Sequence, residues 1–167
     1  MIIDSIRRYA EDIRTLRRAN PTNLEQAAAP HFQRLLEALL AALLERPPVV
    51  VPEFRTPGIG RPDLVLAYPG QPPRAFVELK SPTKPDDPSR YRDRHDKEQF
   101  ERFKCLPIWS VSNFSHLRTF RREEPVDFVQ IVPATALEPD TPDSTANRLI
   151  ASVDVAALQH AIAPLAL

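Results

Sequence analysis

The chain has 167 residues, 43% of them apolar and 26% charged, with 22 basic against 22 acidic side chains and a formal net charge of +0. That size and balance suit one soluble domain with a real hydrophobic core and exclude general disorder. No apolar run reaches the length of a bilayer span, and the single cysteine, Cys105, excludes an internal disulfide and a cysteine-built zinc site.

The opening stretch MIIDSIRRYAEDIR lacks the long apolar run of a signal peptide, so the expected location is the cytoplasm. Ile2, Ile6, Tyr9, Ile13 and Leu16 recur at helical spacing and predict a helix over 2–18. Asn20-Pro21-Thr22-Asn23 breaks it. A second helix is expected from Leu24 to Glu45, with a broad apolar stripe from Phe32 to Leu43. Pro30 either kinks that helix or begins its main part. Pro47-Pro48 ends it.

Val49 to about Phe54 reads as a strand, Gly58 and Gly60 as a turn, and Asp63 to Ala67 as a second strand. After a proline-rich loop, Ala75 to Lys80 is a third, and the three suit an antiparallel meander. Residues 81–95 read as a long polar loop, of the kind that is often functional or mobile. Helical spacing returns over 96–105, with Phe100 and Phe103 on one side. Strands follow at 108–112 and 116–121 around Asn113-Phe114-Ser115, then an extended segment over 126–132. Two short helices close the chain near 145–152 and 155–162. Helices, three strands, a helix and two strands make an α/β sandwich, with a small central sheet flanked by helices. One domain is expected over 1–167. The ending AIAPLAL carries no stop feature, which suits a piece of a longer polypeptide.

The chemistry gathers in two strands, at Gly60-Arg61-Pro62-Asp63 and Phe76-Val77-Glu78-Leu79-Lys80. Alternate side chains of a strand point to opposite faces. Glu78 and Lys80 therefore share a face that excludes Val77 and Leu79, and Asp63 lies opposite Leu64 and Leu66. If the two strands pair, Asp63 and Glu78 converge with Lys80 two residues on. Magnesium takes oxygen ligands, so Asp63, Glu78 and the Leu79 carbonyl form a candidate ligand set. Lys80 is then placed to hold a water or to meet charge developing on a phosphate. The bland alternative is a surface ion pair on an ordinary hairpin. Pro-Asp also occurs at Pro85-Asp86, Pro139-Asp140 and Pro142-Asp143, so the pattern alone is weak.

This arrangement resembles the PD-(D/E)xK nuclease superfamily, and more closely the N-terminal, Mrr-like nuclease domain of fused restriction-modification enzymes such as the type ISP family. The likeness covers roughly 24–121: the leucine-rich helix, Arg61-Pro62-Asp63, Glu78-Leu79-Lys80, the run Glu98 to Phe103, Leu106-Pro107 and the strand ending near Ser112-Asn113. The resemblance implies a restriction-endonuclease-like core with a mixed sheet, and Mg2+ (or Mn2+)-dependent cleavage of DNA in restriction-modification or phage defence. It implies metal binding by Asp63 and Glu78, a catalytic Lys80, Gln99 at the edge of the site, and Glu25 as an acid on a preceding helix that approaches the metal or its water. Methyltransferase or translocase modules, in the same or a separate chain, are the implied partners, and their motifs are absent from these residues.

Zero net charge speaks against nucleic-acid binding, but the charge is uneven. Arg61, Arg90, Arg92, Arg94, Lys97 and Arg102 are candidate phosphate contacts, and a solvated, salt-bridged helix face explains the 90–104 stretch equally well. Arg118, Arg121 and Arg122 add to the bias. The rival function is a catalytically inactive DNA-binding or protein-interaction module on the same scaffold. His95-Asp96-Lys97 matches only a fragment of a phospholipase D signature. His31, His95, His116 and His160 are too scattered for a histidine metal site, and Cys105 and Trp109 read as core residues.

Overall fold

A computed structural model describes residues 1–166. Two long helices come first, α1 (Ile2–Ala19) and α2 (Leu24–Leu43). Asn23 caps α2, its side chain accepting from the Gln26 N–H at 3.0 Å. Helix α2 therefore starts before Pro30, which lies inside it and removes one backbone donor.

Strands β1 (Val49–Pro52), β2 (Leu64–Ala67) and β3 (Ala75–Leu79) form the expected antiparallel meander. Strand β1 stops short of Phe54 because Glu53 takes a left-handed conformation, φ 48°. The chain then crosses to α3 (Arg94–Phe103) and returns as β4 (Trp109–Ser112), parallel to β3. Parallel neighbours need such a crossover, whereas β5 (His116–Arg121) and β6 (Glu124–Gln130) follow by tight turns and pair antiparallel. The result is one mixed six-stranded sheet in the order β1-β2-β3-β4-β5-β6. Two short helices, α4 (Asp143–Ala151) and α5 (Val155–Ile162), complete the layer begun by α1 and α2.

The sheet is apolar on both faces, which is why β3 is buried at every position. On one face Leu64, Leu66, Val77 and Leu79 pack against α1, α2, α4 and α5 in a large cluster. On the other, Val65, Phe76, Trp109, Val111 and Phe120 pack under α3. Trp109 stacks on Phe120 with ring centres 4.3 Å apart, and Phe103 meets Trp109 edge-on at 5.6 Å. This aromatic cluster docks α3 on the sheet, and α3 is the element that completes the candidate site.

One expectation needs correction. Cys105 is exposed rather than packed in the core, because the chain leaves α3 in a turn (Cys105 N–H to Arg102 O) and Leu106 takes the buried place. The 81–95 stretch is the expected loop, and it is pinned to the sheet. It carries a 3-10 turn at Pro88–Arg90, and Arg118 bonds both the carbonyl and the carboxylate of Asp86. Among the described residues no single helix is long and apolar enough to cross a membrane. A bent pair of segments over Asp143–Ala166 passes by length and composition, but Ile150, Leu158 and Ile162 in it are buried in the core.

Candidate active site

Strand register brings the two halves of the sequence pattern together. Leu64 pairs with Val77, so the next step along the antiparallel ladder sets Asp63 against Glu78. Asp63 keeps its backbone on β1, its carbonyl accepting from the Glu53 N–H at 2.9 Å. Its carboxylate turns to β3, where Oδ2 accepts from the Leu79 N–H at 2.7 Å. Glu78 and Lys80 lie on the α3 face of the sheet and are 7% and 4% exposed. That burial is incompatible with an ordinary surface ion pair.

Lys80 is held from three sides. Its Nζ donates to Glu78 Oε1 at 3.1 Å, to Asp96 Oδ1 at 3.0 Å and to Gln99 Oε1 at 2.7 Å. An ammonium has three hydrogens, so all are engaged. Gln99 completes a triangle, its Nε2 donating to Glu78 Oε1 at 2.7 Å. It is thus central to the cluster, not at its edge.

Asp96, Gln99 and Phe103 are spaced i, i+3, i+7 and share one face of α3. The apolar end of that face rests on Trp109 and the polar end reaches Lys80. Along the sequence Asp96 is one of four acids, with Asp93, Glu98 and Glu101, interleaved with the basic residues of 90–104; helix-face spacing from Gln99 is the signal that picks it out. Lys84 also binds Asp96, from the 81–95 loop. Glu25 arrives from the first turn of α2, its Oε1 accepting from the Ser81 N–H at 2.6 Å. A cleft of about 540 Å³ opens beside Glu25, Glu53 and Asp63.

Burial pushes the Asp63 carboxyl up from the ordinary range to about 6, against the opposing hydrogen bond from Leu79. Burial, and then the charge of Asp63, pushes Glu78 up to about 8. Lys80 is also raised: burial lowers it, but the Glu78 charge and the bond to Asp96 outweigh that and favour the ammonium. Asp96 lies below the usual range, because bonds from Lys84 and Lys80 overcome its burial. Glu78 Oε2 is a buried oxygen with no hydrogen-bond partner among the described residues. A buried orphan acceptor is costly. Two adjacent carboxylates held above their normal range, one with an orphan oxygen, fit a divalent cation with oxygen ligands.

Asp93, His95 and Asp96 are a second group that could hold a metal, with ligand atoms within 4.8 Å of one another. It is the poorer candidate. Asp93 Oδ1 already caps α3 through the Asp96 N–H at 3.1 Å, and the Asp96 carboxylate already serves two lysines.

Of the candidate phosphate contacts, Arg61, Arg90, Arg92, Lys97 and Arg102 are exposed and make no ion pair among the described residues. Arg94 is tied to Glu98 at 2.7 Å. Arg90 and Arg92 line a cleft of about 390 Å³ with Lys84, Tyr91 and Asp96, next to the lysine cluster.

No family model matches the chain, and no curated protein matches it. Among solved structures it is similar to a chain of the DrdV–DNA complex determined by cryoEM, at 16% identity with a TM-score of 0.57. The match covers 91% of this chain and 14% of that one. At this identity the likeness defines the fold: a restriction-endonuclease-like mixed α/β core.

Proposed function

We propose that this chain is a metal-dependent endonuclease domain of the PD-(D/E)xK type, hydrolysing DNA phosphodiester bonds. The observation that carries the reading is a half-buried Asp63 converging with buried Glu78 and Lys80 at the mouth of β2 and β3, with Glu78 Oε2 left without a partner among the described residues. Asp63 and Glu78 would hold Mg2+ or Mn2+, with the Leu79 carbonyl as a further ligand. A bound divalent cation would polarise the scissile phosphate and ease loss of a proton from a water.

The chain's own groups do the rest. Lys80 stays cationic, and with Glu78 serving a metal the N–H it now gives to Glu78 would be released to meet a phosphate oxygen as charge develops on it. Gln99 fixes the distance between Lys80 and Glu78. Glu25 lies on the open side of Asp63, where it can orient a water. Water adds to phosphorus, one P–O ester bond breaks, and the two products are an alcohol and a phosphate monoester. Exposed Arg61, Arg90, Arg92, Lys97 and Arg102 would meet the flanking backbone.

The structural neighbour comes from a complex with DNA, which supports DNA as the partner, and the short share of that chain covered fits a nuclease domain working beside other modules. A methyltransferase or translocase is the natural companion in a restriction-modification role.

The test is plasmid cleavage with Mg2+ or Mn2+ beside a chelator control. Cleavage is expected to need metal and to vanish in Asp63→Ala, Glu78→Ala and Lys80→Ala, each still folded by circular dichroism. Full activity in all three variants rejects the assignment. Absence of cleavage together with Asp63-independent metal binding supports the inactive binding module instead.

A further inference from the structure

With a dication on Asp63 and Glu78, Glu78 would have a stronger ligand to serve and Lys80 would lose one of its three partners. Another group would then have to hold the ammonium in place. Gln99 is neutral, so its oxygen orients Lys80 but offers no counter-charge. The remaining anion in contact is Asp96, 3.0 Å from Nζ and 4% exposed.

Asp96 is itself well fixed. It sits in the first turn of α3, with Asp93 accepting its backbone N–H, and the aromatic contacts of Phe100 and Phe103 with Trp109 seat the helix. Its second oxygen takes Lys84 from the 81–95 loop. The loop is held in turn by Arg118 through Asp86. One carboxylate thus joins the catalytic lysine, the helix and the loop that borders the cationic cleft.

We propose that Asp96 is a positioning residue for Lys80: it supplies the counter-charge that holds the ammonium in reach of the phosphate while Glu78 turns to metal. This rests on the nuclease reading for its consequence in catalysis, though the Asp96–Lys80 pair itself does not. Asp96 acts through Lys80 and is not a metal ligand, which separates the proposal from a metal held by Asp93, His95 and Asp96.

The experiment compares wild type with Asp96→Asn and Asp96→Glu in four measurements. They are the single-turnover cleavage rate at saturating enzyme, the Kd for a DNA duplex with Ca2+ replacing the catalytic metal, acylation of Lys80 followed by peptide mass spectrometry, and manganese affinity by calorimetry. Asp96→Asn is expected to slow cleavage roughly 10–100-fold, the usual cost of losing a group that orients a site residue, with duplex Kd unchanged. Lys80 should become labelled at least several-fold faster. Asp96→Glu, which keeps the charge, should recover part of the rate. Manganese affinity by calorimetry should match wild type. A wild-type rate in Asp96→Asn, or lost manganese binding, overturns the proposal. Should the Asn variant melt below the assay temperature, Asp96→Glu decides: a lowered rate at unchanged Kd carries the proposal, and wild-type rate and labelling overturn it. If the wild type itself does not cleave DNA, the nuclease reading fails while the labelling result still judges the Asp96–Lys80 pair.

Discussion

Gln99 Nε2 lies 2.7 Å from Glu78 Oε1 and donates to it, which ties the crossover helix α3 back to the strand β3 that precedes it. The same amide accepts from Lys80, so one neutral side chain braces an acid and a base that already meet at 3.1 Å. The amide is also the one member of the cluster with both a donor and an acceptor at its tip. That property explains why glutamine, rather than a charged residue, suits this position.

Gln99→Ala should therefore lower the cleavage rate more than it lowers stability. The expected loss is roughly 10–100-fold in single-turnover rate, by analogy with other groups that orient site residues. Glu78 and Lys80 still pair directly at 3.1 Å in its absence, so the thermal midpoint should fall only slightly. A variant as fast as wild type would show that the spacing is irrelevant to the chemistry.

Metal-free stability should depend on pH through Glu78. Its carboxyl rises from 4.5 to about 8 on folding, through burial first and the Asp63 charge second. The stabilisation from this raised value is complete below 4.5 and is lost as pH rises through about 8, because there the unfolded chain has released a proton that the folded chain still holds. Thermal melts in chelator should show wild type losing ground to Glu78→Gln across that window. Manganese added at the alkaline end should raise the wild-type midpoint and leave the Gln variant nearly unmoved. A constant gap between the two proteins at every pH would reject this role for Glu78.

The free and paired arginines should separate in DNA binding. Arg92 has no ion pair among the described residues and lines the cleft beside Lys84, whereas Arg94 is engaged by Glu98. Arg92→Ala should reduce the slope of log Kd against log salt by about 1, the signature of one lost phosphate contact. Arg94→Ala should change it less. Fluorescence anisotropy on a short duplex over a salt series measures both, and equal slopes for all three proteins would remove Arg92 from the interface.

Trp109→Ala should cost about 3–5 kcal/mol in denaturant unfolding, as expected for a large aromatic side chain removed from a close-packed core. Trp109 is fully buried and touches Phe100, Phe103 and Phe120 at once. Because that cluster seats α3, any residual folded protein should also label faster at Lys80. A loss under 1 kcal/mol would mean that α3 is held by its polar end alone.

The sequence by itself determined the elements and the heart of the candidate site. Helical spacing located α1 and α2, and the alternation in Phe76 to Lys80 set Glu78 and Lys80 on the face away from Val77 and Leu79, because side-chain periodicity is a local property of the chain. Asp63 and Glu78 could be matched because only a short hairpin separates them. The tertiary structure decided the parallel pairing of β3 with β4, the burial of Glu78 and Lys80, and the contacts of Asp96 and Gln99 with Lys80 and of Glu25 with Ser81. Those contacts join α2 and α3 to the end of β3, elements far apart in the chain. They depend on how the two helices dock on the sheet: Phe103, Trp109 and Phe120 seat α3 and the larger cluster on the opposite face seats α2, neither through any local period.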